Sequence, residues 1–493
     1  MLRKRDQLAE SILRTSYTLL CSNRADRSRS HNDLMKSRTL GILLALLACL
    51  PILILHAQNP SLLLDTDTSV LLAKLNATNN PLHWFTHDWP LENHFYRPIS
   101  TLFFEFDNRI HPGSASGFGL TNAIICCFAT LALYWFLIEV KRSVPVAVAG
   151  TWLFACWTLG NWFFGTWWTY VVASIPWIVF VLIIGRMISE RKFRWPSVIV
   201  AISGFYVWGR LYDVQPKMSA DTMFWLPGRT ATSMTIFALI ALASYVRFER
   251  LGAPSLPPKE PGPMDPPATR SSNQRPEPTN YWGWLVLSCV ATALALGSYE
   301  QAVMIPALIF ILGIWLRATG YQTRFGLQIF FWAILVGYVV YRVQIIPVAP
   351  SGYQKQQFRH GSGLWIDIFS YILPGIFGLT SSVLSLSTGI YILMTEVFWA
   401  SITSFFSNVS TWISIRKSFL KPLIALSLAV FAYLPMAFLK QFGHYHYLPA
   451  AMLTLFVISL FEAYWPKLIS AVSPQAIQAP KRLDRAPGSL PRL

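Results

Sequence analysis

Long apolar stretches separated by short polar segments limit the folds open to this sequence more than any other feature. A stretch of about 20 apolar residues can cross the hydrocarbon core of a membrane as an α-helix. Helices suit that environment because each one satisfies its own backbone hydrogen bonds. The sequence therefore predicts an all-α, polytopic integral membrane protein of about twelve transmembrane helices. The expected spans lie near residues 39–57, 118–140, 144–160, 165–187, 196–212, 228–248, 281–299, 301–317, 325–346, 389–411, 419–440 and 446–464.

The composition agrees with a membrane protein and argues against a nucleic-acid partner. Only 13% of the residues are charged and 54% are hydrophobic, whereas an ordinary soluble domain has roughly 25% charged residues. The net charge is +17, but a nucleic-acid-binding domain gathers its lysines and arginines on one polar surface. Here they lie in short runs between apolar stretches, which is the pattern of the positive-inside rule. The expected partner is membrane lipid, with no nucleic acid.

The basic residues also predict an orientation, because lysine and arginine in short loops stay on the cytoplasmic side. With the spans above, every basic loop falls on the side of the N-terminus, provided that residues 364–388 form a re-entrant or interfacial segment rather than a full span. We therefore expect a protein of the cytoplasmic (inner) membrane with both termini in the cytoplasm. The basic runs lie at residues 141–142, 186–194, 247–250, 317–324, 416–421 and 481–485.

Polar segments divide the chain into five predicted parts. Residues 252–280 are rich in proline and have no apolar periodicity, so they are typical of a flexible linker. The outside loop 58–117 follows the first span and is expected to carry short helices. The predicted parts are a cytoplasmic tail (1–38), an N-terminal bundle that includes this loop (39–251), the linker (252–280), a C-terminal bundle (281–465) and a second cytoplasmic tail (466–493).

The predicted topology brings ionisable and aromatic residues from distant segments to the outer membrane face. Such residues are costly near lipid, so they usually pair with one another or line a functional cavity. The candidates are Asp65, Asp67, His94, Tyr96 and Arg97 in loop 58–117, and Arg229, Glu300, Arg342, His444 and Tyr447 at the outer ends of later spans.

Two kinds of chemistry suit these candidates. A carboxylate can accept a proton from a hydroxyl group, and an arginine can hold a phosphate. The sequence has no Gly-rich nucleotide-binding loop and predicts no soluble domain. We therefore expect a donor that the membrane itself presents, a sugar on a polyprenyl phosphate. Simpler roles remain open: helix capping for Asp65 and Asp67, snorkelling to the headgroups for Arg97, and an ion pair with Arg342 for Glu300.

Four segments carry a resemblance to a known family. They are HFYRPISTLFFEFD (94–107), WLPGRTATSM (225–234), ALGSYEQAV (295–303) and GHYHYLPA (443–450). In this order they resemble the GT-C superfamily of integral-membrane glycosyltransferases, in particular the protein O-mannosyltransferase-like group that includes the tetratricopeptide-bearing transmembrane mannosyltransferases. The resemblance covers residues 40–465, and its most specific part is the Tyr-Arg-Pro turn at residues 96–98.

The resemblance implies an inverting transferase that uses a dolichyl- or undecaprenyl-phosphate-linked sugar. An acidic residue of the first outside loop would be the general base. Asp65 or Asp67 would supply it, and we favour Asp65 because it lies nearer the membrane. Arg97 and Arg229 match family arginines and would hold the donor phosphate, and Glu300 matches the family's glutamate.

The resemblance also gives Tyr96 and Tyr447 a role in shaping the pocket, and the sequence departs from the family in two places. Where relatives often have an acid after the Gly-Arg pair, this chain has Thr230 and Thr232, which leaves Asp221 as the nearest substitute. No tetratricopeptide repeats follow the last span. The acceptor, which could be a protein, a lipid or a glycan, is therefore open.

No cofactor is required by the sequence. His444 and His446 are two residues apart and lack an HExxH or Cys partner pattern, so a zinc site is not expected. Asp65 and Asp67 could hold a divalent ion, because hard cations prefer carboxylate oxygens.

Two other function classes stay open. A transporter or flippase of lipid-linked saccharides is the first, although such proteins often show internal repeats and midplane binding sites. An O-antigen ligase or polymerase is the second, and there we would expect the large outside loop late in the chain.

Overall fold

The computed structural model describes residues 37–58, 65–78, 80–141, 143–159, 221–252, 281–358, 409–440 and 442–472. These residues contain helices and no β-strand, and an isolated bridge joins Phe358 and Leu439. Outside the described residues lie the spans predicted at 165–187 and 196–212, the segment 364–388, nearly all of the span 389–411, of the linker and of the first tail, and most of the second tail.

Thirteen helices make up most of the described chain. The first, α1, is interrupted by a turn at Ala48 and Cys49. The helices are α1 (Ser37–Gln58), α2 (Thr66–Thr78), α3 (Pro98–Ile110), α4 (Ala115–Lys141), α5 (Val144–Leu159), α6 (Asp221–Phe224), α7 (Arg229–Gly252), α8 (Trp282–Leu296), α9 (Ile305–Ala318), α10 (Ile329–Ile345), α11 (Gly352–Gln357), α12 (Val409–Tyr433) and α13 (Tyr447–Val472). Short 3₁₀ helices lie at Pro81–Phe85, Glu300–Met304, Phe325–Gln328, Leu434–Phe438 and Gly443–His446.

Six helical segments of the described chain are long and apolar enough to cross a membrane. They are Ser37–Gln58, Ala115–Lys141, Arg229–Gly252, Glu300–Ala318, Phe325–Ile345 and Leu420–Phe438. Two shorter apolar helices, Val144–Cys156 and Trp282–Leu296, accompany them. The described residues are thereby confirmed as all-helical, and six of their helices suit a membrane protein by length and composition, whereas the total of about twelve spans stays a prediction.

The helices before and after residues 252–280 share one hydrophobic core. Phe136 of α4 and Leu242 of α7 belong to the same buried cluster as Leu296 of α8, Leu312 of α9 and Leu428 of α12. The contact between α7 and α8 includes a hydrogen bond from Ser288 Oγ to Ala241 O at 2.7 Å. The predicted linker therefore does not divide the described helices into two separately packed bundles.

The loop after α1 packs as a small unit on the ends of α4 and α7. It contains α2, the 3₁₀ helix Pro81–Phe85 and α3, so the loop expected to carry short helices does so. Asp88 organises its irregular part by accepting from the backbone N–H groups of Trp89 and His94, at 2.8 and 2.9 Å. Pro98 begins α3, a position where proline costs no hydrogen bond. Residues of a second apolar cluster hold this unit in place: Leu71, Leu75, Trp84, Trp89, Phe104, Phe118 and Leu226.

Candidate functional site

A cavity of about 820 Å³ lies where the first loop meets α10, α11 and the turn before α13. Five of the ten residues predicted for the site line it, although they come from five separate segments. They are Asp67, Arg97, Glu300, Arg342 and His444. The fold thus brings together ionisable groups that are up to 377 positions apart in the sequence, from Asp67 to His444.

Arg97 and Glu300 form the central ion pair of this cavity. Arg97 Nη2 lies 2.6 Å from Glu300 Oε2, and Nε donates to both carboxylate oxygens at 2.9 and 3.1 Å. The side chains are 10% and 21% exposed, so the pair is largely desolvated. The backbones are also tied, because Ile99 N donates to Gly297 O at 2.9 Å. Glu300 therefore pairs with Arg97 and not with Arg342, the partner suggested by the sequence.

Aromatic rings enclose the Arg97 guanidinium. Its central carbon lies 4.2 Å from the ring centre of Phe95, 4.5 Å from that of Tyr299 and 4.9 Å from that of Trp89. Such contacts favour the charged form. Burial is the largest single influence on the pKa of Arg97 and lowers it, but the interactions with Glu300, Tyr299 and Tyr445 together outweigh burial, and the pKa is raised. Arg97 is thus a permanent cation that holds Glu300 in place, and its contacts leave it less available for a phosphate than we expected.

Asp65 and Asp67 have different surroundings. Asp65 Oδ1 accepts from Thr68 N at 2.8 Å, and Oδ2 accepts from Trp225 Nε1 at 2.6 Å. The first of these bonds is a helix N-cap, and Asp65 does not line the cavity. Asp67 is an exposed residue on the cavity wall, where partial desolvation and then the charge of Asp65 raise its pKa. A raised pKa brings a carboxylate closer to the value that suits a general base near neutral pH. The structure therefore favours Asp67, contrary to our preference for Asp65.

Arg342 reaches the cavity from the last turn of α10. Its Nη2 donates to the backbone oxygen of His94 at 2.9 Å, and within the described ranges no carboxylate lies at ion-pair distance from it. His94 has a left-handed backbone with φ of 63°, and its Nδ1 lies 3.0 Å from Ala349 O. His94 thus contributes its carbonyl group to the placement of Arg342, while its side chain lies outside the cavity lining.

Arg229 lies away from the cavity in a buried polar cluster. Its Nη2 lies 2.6 Å from Asp107 Oδ2, and its Nε donates to Asn122 Oδ1, also at 2.6 Å. The side chain is fully buried. Thr121 Oγ1 donates to the other oxygen of Asp107 at 2.6 Å. Arg229 therefore lies outside the cavity lining, with Asp107 and Asn122 as partners and Nη1 without a hydrogen bond among the described residues, so its predicted contact with the donor phosphate is not part of this cavity.

Tyr96 and Tyr447 also lie outside the cavity lining. Tyr96 Oη donates to Phe85 O at 2.9 Å, which fixes the first loop internally. Tyr447 is buried, its Oη lies 3.3 Å from Thr158 Oγ1, and its ring packs edge-on against Phe154. Both tyrosines therefore have structural contacts outside the cavity, rather than the predicted place in its lining. The side chain of Asp221, the proposed substitute acid, lies outside the described part of the chain.

His444 is a neutral, buried side chain at the base of the cavity. Burial, and then the nearby charge of Arg97, lowers its pKa to about 3. A neutral imidazole can donate one hydrogen bond and accept another. The ring packs against Trp225 and Phe442, with ring centres 5.1 and 5.7 Å away. His444 is therefore suited to hydrogen bonding and not to charge.

Sequence reasoning missed the neutral residues of the cavity because it searched for ionisable ones. Several adjoin a predicted residue in the sequence, which was the available signal: Tyr299 precedes Glu300, and Tyr445 follows His444. The missed residues include Trp89, Asn93, Trp225, Tyr299, Tyr338, Tyr353, Gln357 and Tyr445.

Within the described residues, no group of three or more His, Cys, Asp or Glu side chains is arranged to hold a metal ion. The divalent ion considered at Asp65 and Asp67 stays a prediction, and Asp65 already accepts a hydrogen bond at each carboxylate oxygen.

The cavity combines carboxylates, a neutral imidazole, guanidinium groups and a wall of aromatic and aliphatic side chains. No family model, curated protein or solved structure matches the chain. A function must therefore be argued from the chemistry that these side chains can perform.

Proposed function

We propose that the protein is an inverting glycosyltransferase of the GT-C type, which transfers a sugar from a polyprenyl-phosphate carrier to a hydroxyl acceptor. The reaction would take place at the extracytoplasmic face of the cytoplasmic membrane, in a chain of about twelve spans with both termini in the cytoplasm. The observation that supports this most is the cavity in which Asp67, Arg342 and the Arg97–Glu300 pair meet beside apolar helices.

The cavity adjoins an apolar surface that suits a lipid-linked donor. Val339 and Val348 line the cavity and are also 45% and 75% exposed. Val339 belongs to the span Phe325–Ile345. Only 11% of the apolar stretch of this span is buried inside the protein, so most of its surface faces outward. An isoprenoid chain in the bilayer could therefore lie against α10 while its phosphate reaches Arg342. An arginine favours a phosphate through charge-assisted hydrogen bonds.

The proposed mechanism uses Asp67 and Arg342 on opposite sides of the reacting sugar. Asp67 accepts the proton of the acceptor hydroxyl, and the acceptor oxygen attacks the anomeric carbon on the face opposite the phosphate. The bond between that carbon and the phosphate oxygen breaks, and the carrier phosphate leaves with the bonding electrons. Arg342 stabilises the negative charge on the leaving phosphate. One displacement of this kind inverts the anomeric configuration.

The proposal is tested by measuring release of prenyl phosphate from short-chain prenyl-phosphate-linked hexoses by the purified protein in liposomes. A panel of hydroxyl acceptors is supplied. Asp67→Asn should reduce the rate roughly 10²- to 10⁴-fold, the usual contribution of a general base. Asp65→Asn is the matched control and should retain transfer, since asparagine can still cap α2.

An undiminished rate for Asp67→Asn would refute Asp67 as the base. If the wild-type protein instead moved the intact lipid-linked sugar across the liposome membrane without cleaving it, the transporter or flippase alternative would replace the transferase.

A further inference from the structure

Four buried polar atoms on residues that line the cavity have no hydrogen-bond partner among the described residues. They are Trp89 Nε1, Asn93 Oδ1, Tyr338 Oη and Gln357 Oε1. Trp89 is 2% exposed and Asn93 is 8% exposed. Native proteins leave few buried polar groups unpaired, because each one loses its bonds to water without replacement. A set of four around one cavity therefore indicates a ligand with several hydrogen-bonding groups.

The backbones that carry these atoms are held firmly. Ser351 Oγ donates to the backbone oxygen of Asn93 at 3.1 Å, and Lys440 N donates to that of Gln357 at 2.9 Å. The ring of Trp89 lies against the Arg97 guanidinium. The backbones of Asn93 and Gln357 and the ring of Trp89 are thus held by other contacts, while the four polar atoms make no hydrogen bond within the described residues.

The charges of the cavity limit what that molecule can be. Three carboxylates line it, from Asp67, Glu92 and Glu300, together with the guanidinium groups of Arg97 and Arg342. Arg97 is already paired with Glu300. In the proposed function the donor phosphate occupies Arg342. Glu92 contacts Lys74, so Asp67 is the carboxylate of the lining that has no ion-pair partner among the described residues. An acidic sugar would therefore place its carboxylate near Asp67 with no cation of the lining left for it, and like charges in such a site disfavour binding.

We propose that the donor sugar is uncharged and carries free hydroxyl groups, and that Trp89, Asn93, Tyr338 and Gln357 select it. Trp89 Nε1 donates to a sugar oxygen, the amide oxygens of Asn93 and Gln357 accept from sugar hydroxyls, and Tyr338 Oη can do either. This inference rests on the proposed function and adds to it the class of sugar and the residues that recognise it.

Tyr338→Phe is the sharpest test, because it removes an oxygen that has no partner in the described structure. The unliganded protein should keep its Tm or gain a little, since no protein hydrogen bond is lost. Affinity for a sugar-bearing donor should fall about 3- to 10-fold, the usual effect of one lost hydrogen bond. Tyr341→Phe is the matched control one turn along α10: Tyr341 lies outside the cavity lining and donates to Phe85 O at 3.3 Å. It should leave the donor affinity unchanged.

Three probes separate this inference from the proposed function: citronellyl phosphate, citronellyl phosphoglucose and citronellyl phosphoglucuronate. Binding of each to the full-length protein in detergent is measured by calorimetry. We expect glucose to increase affinity over the sugar-free phosphate and glucuronate to decrease it. Tyr338→Phe and Gln357→Met should lose the increase due to glucose and keep the affinity for citronellyl phosphate.

The outcomes are distinct. If citronellyl phosphate does not bind the wild-type protein, the lipid-phosphate donor of the proposed function fails. If it binds but glucuronate binds as well as glucose, or Tyr338→Phe keeps the full increase due to glucose, the assignment of an uncharged sugar to these residues is refuted while the donor proposal stands.

Discussion

The two aspartates at the start of α2 show how position within a helix separates two similar residues. Asp65 precedes the helix and caps it, while Asp67 lies in its first turn on the cavity wall. Successive helical residues are about 100° apart around the axis, so residues two apart point to different sides. The sequence identified both aspartates as candidates. Their surroundings in the fold make Asp65 the helix cap and place Asp67 on the cavity wall.

The raised pKa of Asp67 predicts a pH dependence of transfer. A general base must be deprotonated, so activity should be lost as the pH falls through the raised pKa of Asp67. Asp65→Asn removes the neighbouring negative charge and should lower the pKa of Asp67. The acid limb of kcat/KM against pH should therefore move to lower pH in this variant.

Glu92→Gln is the control for this experiment, because Glu92 also lines the cavity but contacts Lys74. The acid limb of kcat/KM against pH for Glu92→Gln should coincide with that of the wild-type protein. An Asp65→Asn variant with an unchanged acid limb would contradict the electrostatic coupling between the two aspartates.

Among the elements, α3 and α7 are joined by one buried ion pair, and a hydrogen bond from the same arginine reaches α4. Asp107 lies on the buried face of α3, with Ser100 and Phe104. Arg229 opens α7 and also contacts Asn122 of α4. The pair is fully desolvated, at 0% and 1% exposure. Breaking such a pair is costly, because the remaining partner keeps its charge without compensation.

Arg229→Met should therefore reduce the free energy of unfolding by about 3–5 kcal/mol. Arg247→Met is the matched control: Arg247 is 41% exposed and pairs with Glu139 at 3.0 Å, and exposed pairs contribute at most about 1 kcal/mol. Unfolding is followed in detergent against denaturant. Adding Asp107→Leu to Arg229→Met should restore much of the loss, and equal losses in the two single variants would contradict a special role for Arg229.

At the scale of the whole molecule, the two halves of the chain behave as one packed unit. The largest apolar cluster of the described residues contains side chains from α4 and α7 as well as from α8, α9, α12 and α13. The cavity is likewise shared, since Arg97 comes from the first half and Glu300 and Arg342 from the second. Packing and site thus both depend on association across residues 253–280.

A protease site introduced within residues 253–280 tests this association. After cleavage, the two fragments should remain together in mild detergent, because the shared core keeps its contacts without the covalent link. Size-exclusion chromatography, with mass spectrometry of the eluted peak, shows whether the two fragments elute together. Separation of the fragments in the same detergent that preserves the uncut protein would contradict a single core.

The sequence by itself determined the helical membrane class, the short helices of the first loop and most of the charged residues of the cavity. It could do so because hydrophobicity over about 20 residues decides membrane insertion locally, and because ionisable residues near lipid are conspicuous. Only the tertiary structure decided that Arg97 pairs with Glu300, 203 positions away, and Arg229 with Asp107, 122 positions away. Partners at such distances are chosen by the packing of remote helices, which no local pattern encodes. The same packing left Arg342 and Asp67 facing the cavity and gathered the neutral side chains around them.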